Sequence, residues 1–363
     1  MKNVLVFTAL SLASTSAFSM INGTPIDWSK NDNIARLDNV VYDNKGHCTG
    51  TLVAGKFVIT AAHCLKNNVV GQEDDIAGRV TTVSGHAYAA EPPQFQLHPQ
   101  YDPDFDGKNP YDVGIISLAE SVDYSQIQFF ADLNSSPFTP SLPIDITGFG
   151  GTAYSENPLN RNQFTFSHTG ITYPALVFVN LVDPSKHTTG GDSGSAWTNR
   201  QNQIVGIHNG GIFNGTSNTH ITYGSDLHYS RQFILDTVNG WHYPTLANEA
   251  SNGKVTITVQ SLHNSAVYGA ANQAPYTTGD LPSNIGGTCL TMNDIKPFQT
   301  CTYEIESQGG VGTLHLSDNE SIAINKPTPT ITPPVTSGGS SDGGSLGFLS
   351  IIGLLGLGFI RRK

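Results

Sequence analysis

Short apolar runs broken by Gly, Asn and Asp dominate the chain up to about residue 245, as in Gly50-Thr51-Leu52-Val53 and Phe57-Val58-Ile59-Thr60. Runs of this length bounded by turn residues predict strands that curl into a barrel. One helix is expected, Ser230 to Val238, ending before Asn239-Gly240. Further on, Lys254-Val255-Thr256-Ile257-Thr258-Val259 and Thr313-Leu314-His315-Leu316 alternate with period two, the pattern of half-buried antiparallel strands. No repeat of fixed period is evident.

The two ends have a different texture. Lys2, the apolar run Val4 to Ala13 and the small residues of Ala17-Phe18-Ser19 read as an export leader cleaved after Ser19. Residues 326–344, rich in Pro, Thr, Ser and Gly, cannot build a core and read as an extended linker. Leu346 to Ile360 is apolar and Arg361-Arg362-Lys363 closes the chain. At ~1.5 Å per residue this run spans about 22 Å, short of the roughly 30 Å hydrocarbon layer. The expected division is a leader at 1–19, a main domain at 21–245, a β-rich domain at 250–325, a linker at 326–344 and a hydrophobic tail with a basic end at 345–363.

Composition narrows the class. With 363 residues, 38 glycines, 20 prolines and only 13% charged residues, the chain favours turn-rich β structure over helical bundles. A formal charge of -11 repels phosphates and argues against a nucleic-acid partner. Four cysteines in an exported chain suggest two disulfides. Three connectivities are open, and closeness along the chain favours Cys48–Cys64 with Cys289–Cys301.

Serine-based peptide hydrolysis needs a base, a carboxylate that orients the base, and backbone N–H groups at the developing oxyanion. Thr60-Ala61-Ala62-His63-Cys64 places a histidine after a strand, beside a cysteine. Tyr111-Asp112-Val113-Gly114-Ile115-Ile116 places an acid before an apolar strand. Thr189-Gly190-Gly191-Asp192-Ser193-Gly194-Ser195 places a serine in a glycine-rich turn, where successive N–H groups can point into one pocket. Taken singly, each residue also has a bland reading as a core histidine, a turn cap or a loop hydroxyl.

Together, in the order His, Asp, Ser, these motifs resemble those of the trypsin/chymotrypsin superfamily over roughly residues 21–240. The resemblance implies an all-β fold, a double six-stranded barrel, here followed by a β-sandwich-like domain. It implies His63 as general base, Asp112 as its orienter, Ser193 as nucleophile, and Gly191 and Ser193 N–H as the oxyanion hole. No metal or organic cofactor is implied. Ile21-Asn22-Gly23-Thr24 resembles the family's activated N-terminus, which implies an Ile21–Asp192 pair, although Met20 rather than Arg or Lys precedes Ile21.

His187 stands where the family's specificity residue lies, so the anchor for a basic P1 side chain is missing. Thr188 and the Gly206-Ile207-His208 segment resemble glutamyl endopeptidases, which implies that His208 and Thr188 bind a P1 glutamate. Asp192 and Asn209 depart from that subfamily's pattern, and Asp226 leaves a basic P1 preference open. Asn209-Gly210-Gly211 is expected to pair with the substrate as an added strand.

At the other end, Gly343-Gly344-Ser345 with the apolar segment and basic end resembles the GlyGly-CTERM sorting signal of Gram-negative bacteria. That implies tail cleavage, transient membrane association and type II secretion of a monomer that acts on proteins or peptides. The competing function is a non-catalytic binding protein on a protease fold, with 250–325 as an adhesin.

Overall fold

The structure, a computed structural model, describes residues 20–38, 47–66, 78–102, 109–151, 159–166, 174–183, 185–214, 219–268 and 274–327. The expected leader, most of the linker and the hydrophobic tail lie outside the described residues. Among the described residues, no helix is long and apolar enough to cross a membrane.

Strand β1 (Thr24–Ile26) leads into β2 (Ile34–Asp38), β3 (His47–Val53), β4 (Phe57–Thr60), β5 (Arg79–Thr81), β6 (Ala87–Ala89), β7 (Phe95–Leu97) and β8 (Gly114–Ser117). Strands β2 to β8 form one antiparallel sheet in the order β6-β5-β2-β3-β4-β8-β7. The β3–β4 hairpin turns through Ala54, Gly55 and Lys56, with Ala54 and Gly55 at positive φ. The second sheet contains β9 (Pro143–Gly148), β10 (Leu159–Phe166), β11 (Leu176–Leu181), β12 (Ala196–Thr198), β13 (Ile204–Asn214) and β14 (Thr219–Asp226). Its order is β1-β10-β11-β14-β13-β12-β9, and β9 also pairs with β10, which closes six strands into a barrel with β1 outside. Each sheet therefore has seven strands, one more than the six expected per barrel, because short flanking strands satisfy edges that would otherwise stay open. The predicted helix is α1 (Arg231–Val238), stopped by Asn239 in the left-handed region.

After α1, β15 (Trp241–His242), β16 (Leu246–Ala247), β17 (Lys254–Ser261), β18 (Val267–Tyr268), β19 (Tyr276–Gly279), β20 (Ile285–Gly286), β21 (Asp294–Ile295), β22 (Thr300–Glu306), β23 (Gly312–Ser317) and β24 (Glu320–Ile324) follow. They give two four-stranded sheets, β15-β17-β22-β20 and β16-β24-β23-β19, around a core of Trp241, Ile257, Tyr303, Leu314 and Ile322. The sheets draw in β15 and β16, upstream of residue 250. The disulfide Cys289–Cys301 lies in this region and Cys48–Cys64 in the first sheet, the pairing that closeness favoured.

The sandwich packs directly on the barrels. Gln260, 1% exposed, accepts from Phe130 N at 2.9 Å and donates to Phe130 O at 2.8 Å and Phe298 O at 2.9 Å. Thr245 Oγ1 donates to Val122 O at 2.7 Å and accepts from Tyr124 N at 2.8 Å. His242 is buried with both ring nitrogens occupied: Nδ1 accepts from Ala54 N and Nε2 donates to Gln128 O. Burial pushes its pKa down to about 4, as expected of a structural histidine.

Candidate active site

Strand pairing brings the base and the acid together. Thr60 at the end of β4 lies opposite Gly114 at the start of β8. The residues just beyond these ends, the turn Ala62–Cys64 and Asp112, are therefore neighbours. The Cys48–Cys64 bridge ties that turn to β3. Asp112 is 5% exposed, and both of its oxygens serve His63. Its Oδ1 accepts from the His63 backbone N–H at 2.9 Å and its Oδ2 from the ring Nδ1–H at 2.6 Å. Burial acts to lower the His63 pKa, but the charge and hydrogen bond of Asp112 outweigh it and hold the ring above its ordinary value. The carboxylate thus leaves Nε2 as the free ring atom.

The serine turn rests on the same strands. Thr49 N donates to Ser193 O at 2.8 Å, and Thr60 Oγ1 donates to Thr49 O at 2.9 Å. Gly194 has φ +82°, and a Cβ there would run into the Thr49 carbonyl and the Ala61 backbone. That close approach, which only glycine permits, brings the turn against the segment leading to His63. Gly191 also has positive φ, +104°, with Thr49 Oγ1 donating to its carbonyl at 2.9 Å. Among the described residues, neither Gly191 N–H nor Ser193 N–H donates to another protein group, and Ser193 Oγ makes no hydrogen bond to His63.

Asp192 points the other way. It is fully buried, and its two oxygens accept from Gly150 N and Thr189 N, each at 2.9 Å. Burial outweighs these bonds and pushes its pKa up to about 7, the sign of a carboxyl group without a cation. Ile21, expected to be its partner, is 38% exposed and exchanges backbone hydrogen bonds with His187. The buried residue is Met20, 0% exposed, whose side chain joins the main core and whose N–H donates to Gly150 O at 2.7 Å. Gly150 thus touches both Met20 and Asp192. Met20 fills the inward position in this uncleaved chain because its apolar side chain has a core to enter, whereas Ile21 lies on an edge pairing.

The trypsin family model matches residues 33–234, a span that contains His63, Asp112 and Ser193. The chain belongs to the trypsin family. A trypsin of Saccharopolyspora erythraea is 25% identical over 179 residues, 46% of this chain and 77% of that protein. The human transmembrane protease serine 11A is 24% identical over 154 residues, 41% of this chain and 36% of that protein. Among solved structures, the VesB protease of Vibrio cholerae is 19% identical with a TM-score of 0.45, over 84% of this chain and 98% of that one. A Glu endopeptidase in complex with MPD is 22% identical with a TM-score of 0.41, over 56% of this chain and 90% of that one.

A cavity of about 380 Å³ opens beside Ser193, lined by His187, Thr188, His208, Gly211, His220 and Thr222 among others. Thr188 and Thr222 face each other across it with hydroxyls 3.2 Å apart. None of the described lining residues is an acid. Asp226 is 1% exposed and bonded to the Ser136 hydroxyl and His228 N, and it is not among the described residues that line the cavity. His208 lines the cavity as expected but is 1% exposed, and its Nδ1 is buried without a partner. Burial, then the nearby His63, push its pKa down to about 3, so it is a neutral imidazole.

The strand that follows has an open edge. β12 pairs with β13 at Ile204–Ile207, and beyond Ile207 β13 pairs only with β14, leaving the Asn209-Gly210-Gly211 edge free. Asn209 itself is held inward by Ser225 and Asn109. His98 is buried and stacked on Tyr111. His220 and Thr222 were not foreseen. Their period-two spacing on a strand would have placed them on one face, but nothing local says that this face lines the cavity.

Proposed function

We propose that this chain is a serine endopeptidase in which Ser193 is the nucleophile, His63 the general base and Asp112 its orienter. The observation that carries this reading is the two-point hold of Asp112 on His63, next to a serine turn with two unengaged amides. Ser193 Oγ attacks the scissile carbonyl while His63 Nε2 takes its proton; the hydrogen bond between them forms as substrate enters. The oxygen of the tetrahedral intermediate receives Gly191 N–H and Ser193 N–H. His63 then protonates the leaving amine, and water repeats the sequence on the acyl-enzyme. The free edge of β13 takes the peptide as an antiparallel strand. The acid-free cavity with its facing threonines supports an acidic P1 side chain, glutamate above others, because a buried carboxylate needs donors.

For the inward N-terminus, the proposed partner of Asp192 is the ammonium freed by cleavage after Ser19, that of Met20. It would reach a buried carboxyl already next to Gly150, and no separate propeptide would be needed. The leader and the tail rest on the sequence alone, and the disulfides are compatible with export. A fluorophosphonate probe tests the central reading. The mature protein should be labelled and Ser193→Ala should not be. Mature, correctly folded protein that resists the probe would leave the binding-protein alternative.

A further inference from the structure

The specificity cavity contains an arrangement with no role so far. The rings of His187 and His220 stack face to face, with centroids 3.6 Å apart and planes 6° from parallel. Phe213 closes the outer side, 4.9 Å from the His220 ring. Both histidines line the cavity that opens on Ser193. Two imidazolium rings in face contact would repel each other, so the stack accommodates one added charge more readily than two. One proton is also what a single incoming carboxylate requires.

The hydrogen bonding gives the site a direction. His187 Nδ1 lies 3.0 Å from Thr188 O. A carbonyl only accepts, so Nδ1 carries the hydrogen and Nε2 of the neutral ring is a lone-pair acceptor. An anion would be repelled there until Nε2 gains a proton and becomes a charged donor. His220 and Thr222 are two residues apart on β14 and so share a face, which brings the stack and the Thr188–Thr222 hydroxyls into one pocket. The other histidine in the pocket, His208, is 1% exposed, and burial favours its neutral form.

Resting on the endopeptidase reading above, we propose that the His187–His220 stack answers the charge of an acidic P1 side chain, and that binding such a substrate takes up one proton onto the pair. The proton comes from solvent and returns to it on product release, with no covalent change in the pocket. The titratable groups on the surrounding elements are His208 on β13, Tyr223 on β14, and Asp183, Lys186 and Asp192 in the loop that carries His187. Asp183 is occupied by Ser185, and Asp192 by Gly150 and Thr189. The segment Met20–Thr24, which pairs with His187, has no titratable side chain. The His220 pKa is lowered by burial and then by His187.

The test uses mature protein, active sites counted with the fluorophosphonate, and peptides that differ only in Glu or Gln at P1. The Glu/Gln ratio of kcat/KM, measured from pH 5.5 to 9, should fall about tenfold per pH unit above the titration of the pair. Glutamate stays ionised throughout that range, so the slope belongs to the protein. His220→Phe, which keeps a ring in the stack, and His187→Gln should each flatten the profile and lower the ratio at pH 6 at least about tenfold. A ratio that is flat with pH in the wild type, or unchanged in both variants, overturns the proposal while labelled, peptide-cleaving enzyme leaves the endopeptidase reading standing. Absence of labelling in the mature protein overturns both.

Discussion

Replacing Asp112 by Asn keeps the shape of the site and removes one acceptor. In the wild type, one oxygen takes the His63 backbone N–H at 2.9 Å and the other takes Nδ1–H at 2.6 Å. An amide has a single oxygen. The backbone N–H can only donate, so it claims that oxygen, and the NH₂ group turns toward Nδ1. The ring must then present a lone pair at Nδ1 and carry its hydrogen on Nε2, where it cannot accept the Ser193 proton. Restoring the useful tautomer breaks a buried hydrogen bond, and the imidazolium formed in the transition state loses its counter-charge. Together these amount to about 5 kcal/mol, or roughly a 10⁴-fold fall in kcat.

The pH profile gives a second readout. In the wild type, Asp112 holds the His63 pKa up against burial, so activity is present above that raised pKa and lost as pH falls through it. In Asp112→Asn, burial acts unopposed, and the acidic limb should move to lower pH. Peptide hydrolysis and the rate of fluorophosphonate labelling measure both effects. Activity within about tenfold of wild type, with an unmoved acidic limb, would refute the orienting role and the tautomer argument behind it.

Two further outcomes are expected. Gln260→Ala removes three buried hydrogen bonds and strands the N–H and C=O of Phe130 and the C=O of Phe298, so unfolding in urea should show a loss of roughly 3–6 kcal/mol. A loss under about 1 kcal/mol would mean that the sandwich does not brace the barrels through this residue. Precursor blocked at the Ser19–Met20 bond keeps Asp192 without a cation. Its folded pKa, about 7, lies above the unfolded value of 3.8, so the folded state is favoured while protonated, and stability should fall as pH rises from about 4 to 7. Mature protein with a free Met20 ammonium should lack that fall; N-terminal mass analysis paired with melting curves across pH distinguishes the two forms. A mature chain that begins at Ile21 and is fully active would sink the Met20 assignment.

By itself, the sequence determined the local elements and the reactive side chains. Period-two runs became strands, and burial in β17 follows the alternation of Lys254–Val259 because each pleat exposes one face. Glycines at 191 and 194 marked a turn that only they can make, and the proximity of cysteines in the chain matched their bonding. Tertiary structure decided what required distant segments to meet. Strand register, which no local pattern encodes, put Asp112 against His63. Placement in the core buried Met20 and left Ile21 on an edge pairing, a difference of one residue that no local motif weighs. It also buried His208 and stacked His187 on His220, because what surrounds a histidine comes from separate stretches of chain, here residues 187–193, 208–213 and 220–222.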